Sequence, residues 1–152
     1  MRMWFAAALL APLAPLSQPA HAQEAPVAQA PGKTVTVEYY YRIKWGALPE
    51  FKRLYKSNHQ PLLREMRKAG LIVEMRTDEP FTHMAGGERW DMRVTITFRD
   101  GASAVELGGA WDTAFDAAKA RLYPDKAKFE AEEAQRFALI EEHWDVIVYR
   151  AD

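Results

Sequence analysis

Residues 34–44, TVTVEYYYRIK, alternate side chains of two kinds without a break. Successive side chains of a strand point to opposite faces. This run therefore sets Val35, Val37, Tyr39, Tyr41 and Ile43 against Thr36, Glu38, Tyr40, Arg42 and Lys44. Residues 89–99, RWDMRVTITFR, repeat the pattern, with Trp90, Met92, Val94, Ile96 and Phe98 opposed to Asp91, Arg93, Thr95 and Thr97. Strands with one apolar face need a second layer to cover it, and the segments between them must supply that layer.

The remaining segments fit that demand. From Leu48 to Ala69, Phe51, Leu54, Tyr55, Leu62 and Met66 fall at helical spacing, and Gly70 is a natural stop. LIVEMRT (71–77) reads as a short strand with Leu71, Val73 and Met75 on one face, followed by a long loop, DEPFTHMAGGER. Asp100-Gly101 turns the chain, and Ser103 with Glu106 forms a capping box for a second helix along Ala104, Leu107, Trp111, Phe115, Ala118 and Leu122. Gly108 and Gly109 weaken that helix from within. After the break at Tyr123-Pro124-Asp125, residues 126–142 predict a further helix carrying Phe129, Phe137 and Ile140, and HWDVIVYR a last strand. The order β-α-β-β-α(α)-β is an α+β, ferredoxin-like arrangement, a four-stranded antiparallel sheet with helices on one face.

The N-terminus has a different character. Arg2, an apolar run from Trp4 to Leu16, and Ala20-His21-Ala22 form the charged, apolar and small-residue regions of a secretory signal peptide, residues 1–22. Spanning a bilayer takes about 20 apolar residues, and Pro12 and Pro15 interrupt this run, so no membrane span is expected after cleavage. Residues 23–32, rich in Ala, Pro and Gln, read as a flexible leader, and residues 33–152 as one domain. The expected location is outside the cytoplasm: periplasmic in a Gram-negative host, secreted otherwise. The chain has no cysteine, so its core must hold it together without disulfides. Its net charge is −1 with no basic run, which argues against a nucleic-acid partner.

The first helix contains the chain's odd stretch, SNHQPLL (57–63). Pro61 lacks an N–H, so the carbonyl of Ser57 loses its helical partner, and Gln60 is pressed away from helical geometry. A kink is expected there. Asn58 falls on the stripe of Phe51, Tyr55, Leu62 and Met66, the buried side, and His59 lies next to Tyr55, Leu62 and Leu63. Asn58 or His59 either satisfies the freed carbonyls or faces a ligand; both readings fit.

The element order together with His59-x-Pro61-Leu62 resembles the dimeric α/β-barrel superfamily, whose EthD-like members carry a similar H-x-P-L pattern. The resemblance implies a homodimer whose sheets form a barrel, with a pocket inside it or between each sheet and its helices. Similar proteins include small monooxygenases, cyclases, isomerases, dehydratases, haem-degrading enzymes and proteins without a known reaction. The haem-degrading members resemble a pattern of Asn on the first strand, Trp on the third and His on a helix. Trp90 suits it, but the first strand here has no Asn, so haem is not expected, nor any other cofactor.

Candidate site residues follow. His59 is the natural acid or base, since an imidazole titrates near neutrality. Asn58, Tyr40, Arg42 and Trp90 are candidate ligand contacts, and His83, on a loop with Gly86 and Gly87, a candidate lid residue. His143 reads as a strand-edge residue. Glu38 and Asp91 would orient His59 only if their sheet face reached the helix. The histidines show no metal-ligand spacing, and neither a G-x-S-x-G elbow nor a thiol nucleophile occurs. The polar sheet face, Glu38, Tyr40, Arg42, Glu74, Arg76, Asp91, Arg93 and Thr95, is either a solvated surface laced with ion pairs or the wall of an enclosed barrel. The expected function is a small homodimeric protein binding a partly aromatic small molecule. The alternative is a cofactor-free monooxygenase, cyclase or dehydratase using His59 with Tyr40, Arg42 or Trp90.

Overall fold

Strand β1, Val35–Ile43, comes from the first alternating run, and it is one of the two inner strands of the sheet. A computed structural model describes residues 33–82 and 84–148. The segments expected to be a signal peptide and a leader, and His83, lie outside the described residues. β1 pairs antiparallel with β3 (Met92–Phe98) on one side and β4 (Ile140–Val148) on the other, while β2 (Ile72–Asp78) pairs with β3. The resulting order, β2-β3-β1-β4, is that of a ferredoxin-like α+β fold. The register sets Val37 opposite Ile96 and Tyr41 opposite Met92, so the alternating apolar sets share one face. Val37, Tyr41, Ile43, Met92, Val94, Ile96 and Phe98 are buried there.

The helices cover that face. They are α1 (Leu48–Leu54), α2 (Gln60–Lys68), α3 (Gly101–Val105), α4 (Ala110–Leu122) and α5 (Lys126–Ala138). Between α1 and α2 the chain does not break. Residues Tyr55–His59 form a π-helical turn in which the Gln60 N–H reaches back five residues to the Tyr55 carbonyl. The extra residue in the turn absorbs the missing N–H of Pro61, and Gln60 keeps helical dihedrals (φ −59°, ψ −37°), contrary to expectation. The freed carbonyl is also satisfied differently from the sequence reading. The Tyr123 hydroxyl donates to the carbonyls of both Ser57 and Asn58, each at 2.8 Å.

Four further expectations are corrected. The face of β2 is Ile72 and Met75: a bulge between Ile72 and Glu74 leaves Val73 as the extra residue, 52% exposed. The second helix is two, because Asp100 rather than Ser103 caps α3, accepting the Ser103 N–H at 2.7 Å. The chain then turns through Gly108, whose φ of +75° suits glycine. Leu107, in that turn, is exposed rather than part of the stripe. Ile140 begins β4 instead of ending a helix.

Trp90 departs most. β3 starts only at Met92, because the two residues flanking Trp90 are held by contacts distant in sequence. The Asp91 carboxylate accepts the Ile43 N–H at 2.7 Å. Buried Arg89 donates to Asp91, to the Ile43 carbonyl and to Glu141, with its guanidinium 4.4 Å from the Trp45 ring. The Trp90 ring therefore meets Tyr40 and Arg93, on the polar face of the sheet.

Candidate functional site

Between the helices and the apolar sheet face lies a cavity of about 280 Å³. Its floor is Tyr39 and Tyr41 of β1 with Ile96 and Phe98 of β3. The π turn and α2 supply Tyr55, His59 and Leu63; α4 supplies Trp111 and Phe115. Arg136 and Phe137 of α5 and His143 of β4 complete the wall. Trp111 meets Phe98 edge-on at 5.4 Å and stacks on Phe115 at 6.2 Å, a rigid aromatic corner. His59 lies 5.3 Å from the Tyr55 ring, and Tyr41 packs 4.5 Å from the His143 ring.

The cavity carries almost no net charge. Burial, reinforced by the Arg136 guanidinium, holds the His59 imidazole down to about 4, so it is neutral at pH 7. His143 is lowered as well, first by burial. Burial pushes the Tyr39 and Tyr41 phenols up to about 12 and Tyr55 higher still, so all three keep their protons. Arg136 is 2% exposed, and its Nε and Nη2 donate to both oxygens of Glu133 at 3.0 and 2.7 Å. That pairing offsets the one cation that the described residues place in the wall.

The sequence-derived site residues do not form a single site. His59 lines the cavity. Asn58 is buried one position away, with its Nδ2 lacking a hydrogen-bond partner among the described residues, and borders a separate, more open groove with Tyr123 and Lys128. Tyr40, Arg42 and Trp90 belong to the opposite sheet face, so they do not work beside His59 within one chain. Arg42 donates to the Gly87 carbonyl at 2.7 Å and pairs with Glu142, while Glu141 lies 3.8 Å from its Nε. Glu38 accepts the Tyr40 hydroxyl at 2.5 Å, and Asp91 is held by Ile43 and Arg89. Neither carboxylate orients His59.

Sequence reasoning missed most of the cavity wall. Tyr39 and Tyr41 were placed on the correct face, but only the long-range packing of α4 and α5 leaves space above them. Arg136 had one available signal, a Glu133-x-x-Arg136 pair beside Phe137 on a helix, which by itself reads as surface. Among the described residues no group of three or more acidic or histidine side chains is placed to hold a metal, and no helix is long and apolar enough to cross a membrane.

No family model and no curated protein matches this chain. Solved structures do resemble it. An EthD family protein from Bacillus halodurans C-125 is 13% identical, with 78% of this chain and 99% of that one covered and a TM-score of 0.46. A dimeric ferredoxin-like protein of unknown function from Thermobifida fusca YX is 14% identical over 77% of this chain and 91% of its own, with a TM-score of 0.43. A NIPSNAP family protein from Agrobacterium tumefaciens C58 is 16% identical, over 80% and 89%, with a TM-score of 0.43. The likeness is one of fold. The sheet order on its own places the chain in the ferredoxin-like class, and the structures that it resembles include dimeric members of that class.

Proposed function

We propose that the mature chain is an exported, homodimeric α/β-barrel protein that binds a small, partly aromatic molecule between its sheet and its helices. The observation that carries this reading is the cavity of about 280 Å³ walled by Tyr39, Tyr41, Tyr55, Phe98, Trp111 and Phe115. Ligand sites are concave, mostly apolar and furnished with a few convergent polar groups, and His59 and Arg136 are such groups here. The volume suits one or two fused rings. Binding without turnover is favoured because, among the described residues, no carboxylate is hydrogen-bonded to His59 and the wall holds no serine, threonine, cysteine or lysine.

A second reading has one specific observation behind it. An imidazole that stays neutral at pH 7 is free to accept a proton, so His59 also suits a cofactor-free monooxygenase, cyclase or dehydratase. His59→Ala separates the two readings. Loss of a detected turnover with folding retained supports the enzyme. Ligand binding without turnover in either form supports the binder.

The direct test is native mass spectrometry of protein purified from the exported fraction, joined to a titration of tryptophan fluorescence with naphthalene in which Trp111→Phe identifies the Trp111 component. A reproducible bound mass or saturable quenching supports the reading. Bare protein that no aromatic probe quenches overturns it. Export is tested by sequencing the N-terminus of the mature protein. The expected first residue is Gln23, and an intact Met1 overturns that part.

A further inference from the structure

Several of the cavity's polar atoms have no partner among the described residues, and most of these can donate a hydrogen bond. Among the described residues Tyr40 and Tyr123 are the tyrosines whose hydroxyls find protein partners. The hydroxyls of Tyr41 and Tyr55, residues only 6% and 3% exposed, find no hydrogen-bond partner among the described residues, and neither does that of Tyr39. Nor are they sealed off, since among the described residues the unpaired side-chain atoms that are fully enclosed are those of Arg42, Asn58 and Thr95. Arg136 spends Nε and Nη2 on Glu133, which leaves Nη1 without a partner among the described residues. His59 brings a further ring N–H. Buried polar groups are almost always satisfied, so an occupant that supplies acceptors suits the O–H and N–H groups of this wall.

The charge of that occupant is constrained too. An anion would need an uncompensated cation in a poorly solvated wall, yet Arg136 is already matched by Glu133. A cation would need a free carboxylate, and among the described residues no carboxylate lines the cavity. Aromatic faces on several sides favour a planar body.

Resting on the aromatic-ligand reading above, we infer that the cavity takes a neutral, planar aromatic molecule bearing carbonyl oxygens, held by the Tyr41 and Tyr55 hydroxyls and the Arg136 Nη1 donors. Acidic aromatics of the same shape bind worse, because they bring a charge that nothing in the wall offsets. Aromatic amines bind worse for the opposite reason.

The test compares four probes of matched shape at pH 7.5 by calorimetry and fluorescence: naphthalene, 2-acetylnaphthalene, 2-naphthoate and 2-naphthylmethylamine. The expected result is that the ketone binds at least tenfold more tightly than each of the other three. Tyr55→Phe, which keeps the ring and removes the hydroxyl, reduces that advantage by about tenfold while its melting curve shows that the fold is retained. Arg136→Met does the same if folded. If it unfolds, Tyr55→Phe and Tyr41→Phe still decide the matter. Naphthalene binding as tightly as the ketone overturns the inference and leaves the aromatic pocket standing. Naphthoate or the amine binding most tightly overturns the neutral-ligand assignment. Failure of all four probes overturns the inference together with the reading on which it rests.

Discussion

His59 tests the electrostatics at the level of a single side chain. Burial lowers its pKa from 6.5 to about 4, so between these values the unfolded chain binds a proton that the folded site refuses. Stability is then fully present above pH 6.5 and declines as the pH falls towards 4. At 1.36 kcal/mol per pKa unit the ceiling on this loss is about 3 kcal/mol. His143 is shifted in the same direction, so the wild-type slope alone does not identify the group. The expected outcome is that His59→Gln flattens the fall in urea midpoint between pH 7 and pH 4.5. An unchanged slope would place the proton uptake elsewhere. The position of His59, next to Tyr55 and Leu63, was legible in the sequence, because helical spacing survives one extra residue in a turn. Its unpartnered state was not. That depends on Arg136 and Glu133, more than 70 residues further along the chain, and on Glu38 and Asp91 being held by Tyr40 and Ile43 instead.

The element that most needs explaining is the π turn, Tyr55–His59. Pro61 removes the N–H that would serve Ser57, the turn widens by one residue, and Tyr123 donates one hydroxyl to the two outward carbonyls. Replacing Tyr123 with Phe leaves those carbonyls to water, a loss of about 1 kcal/mol, since the site is only part-buried. Pro61→Ala restores the backbone donor. A double-mutant cycle should therefore show coupling: Tyr123→Phe costs less in the Pro61→Ala background than in wild type. Strictly additive effects on chemical denaturation would mean that the hydroxyl is not there to repair the proline. The sequence announced the orphaned carbonyl but not its donor, which comes from the far end of α4 after a separation of 66 residues. The same contrast holds for the strands. Alternation in β1 and β3 was enough to fix which face is buried. Trp90 and Val73 broke the pattern because a buried arginine clamp and a β-bulge are settled by neighbours, not by local period.

For the whole molecule, the question is what covers the second face of the sheet. Tyr40 stacks on Trp144 at 5.4 Å and meets Trp90 edge-on at 5.8 Å, which makes an aromatic island in the middle of that face. Around it the charges are matched within the chain: Arg93 pairs with Asp78 at 3.0 Å and lies 3.6 Å from Glu38, and Arg42 pairs with Glu142. A second copy brought against this face would meet aromatic surface and neutralised charge rather than a field of one sign, so pairing of two sheets carries little repulsion. Buried aromatic anchors near the centre of an interface commonly contribute 2 kcal/mol or more each, about a 30-fold change in association. Trp144→Asp places a carboxylate in that island without touching the helix-side cavity. The expected outcome is a dimer for wild type and a monomer for Trp144→Asp by light scattering at micromolar concentration, with equal melting behaviour in dilute solution and undiminished binding of aromatic probes. A wild-type monomer would make the outer face an ordinary solvated surface and confine function to the cavity. A variant that stays dimeric would move the interface elsewhere, most simply to the exposed flank of β4, where Ile147 is 61% exposed on the helix side of the sheet.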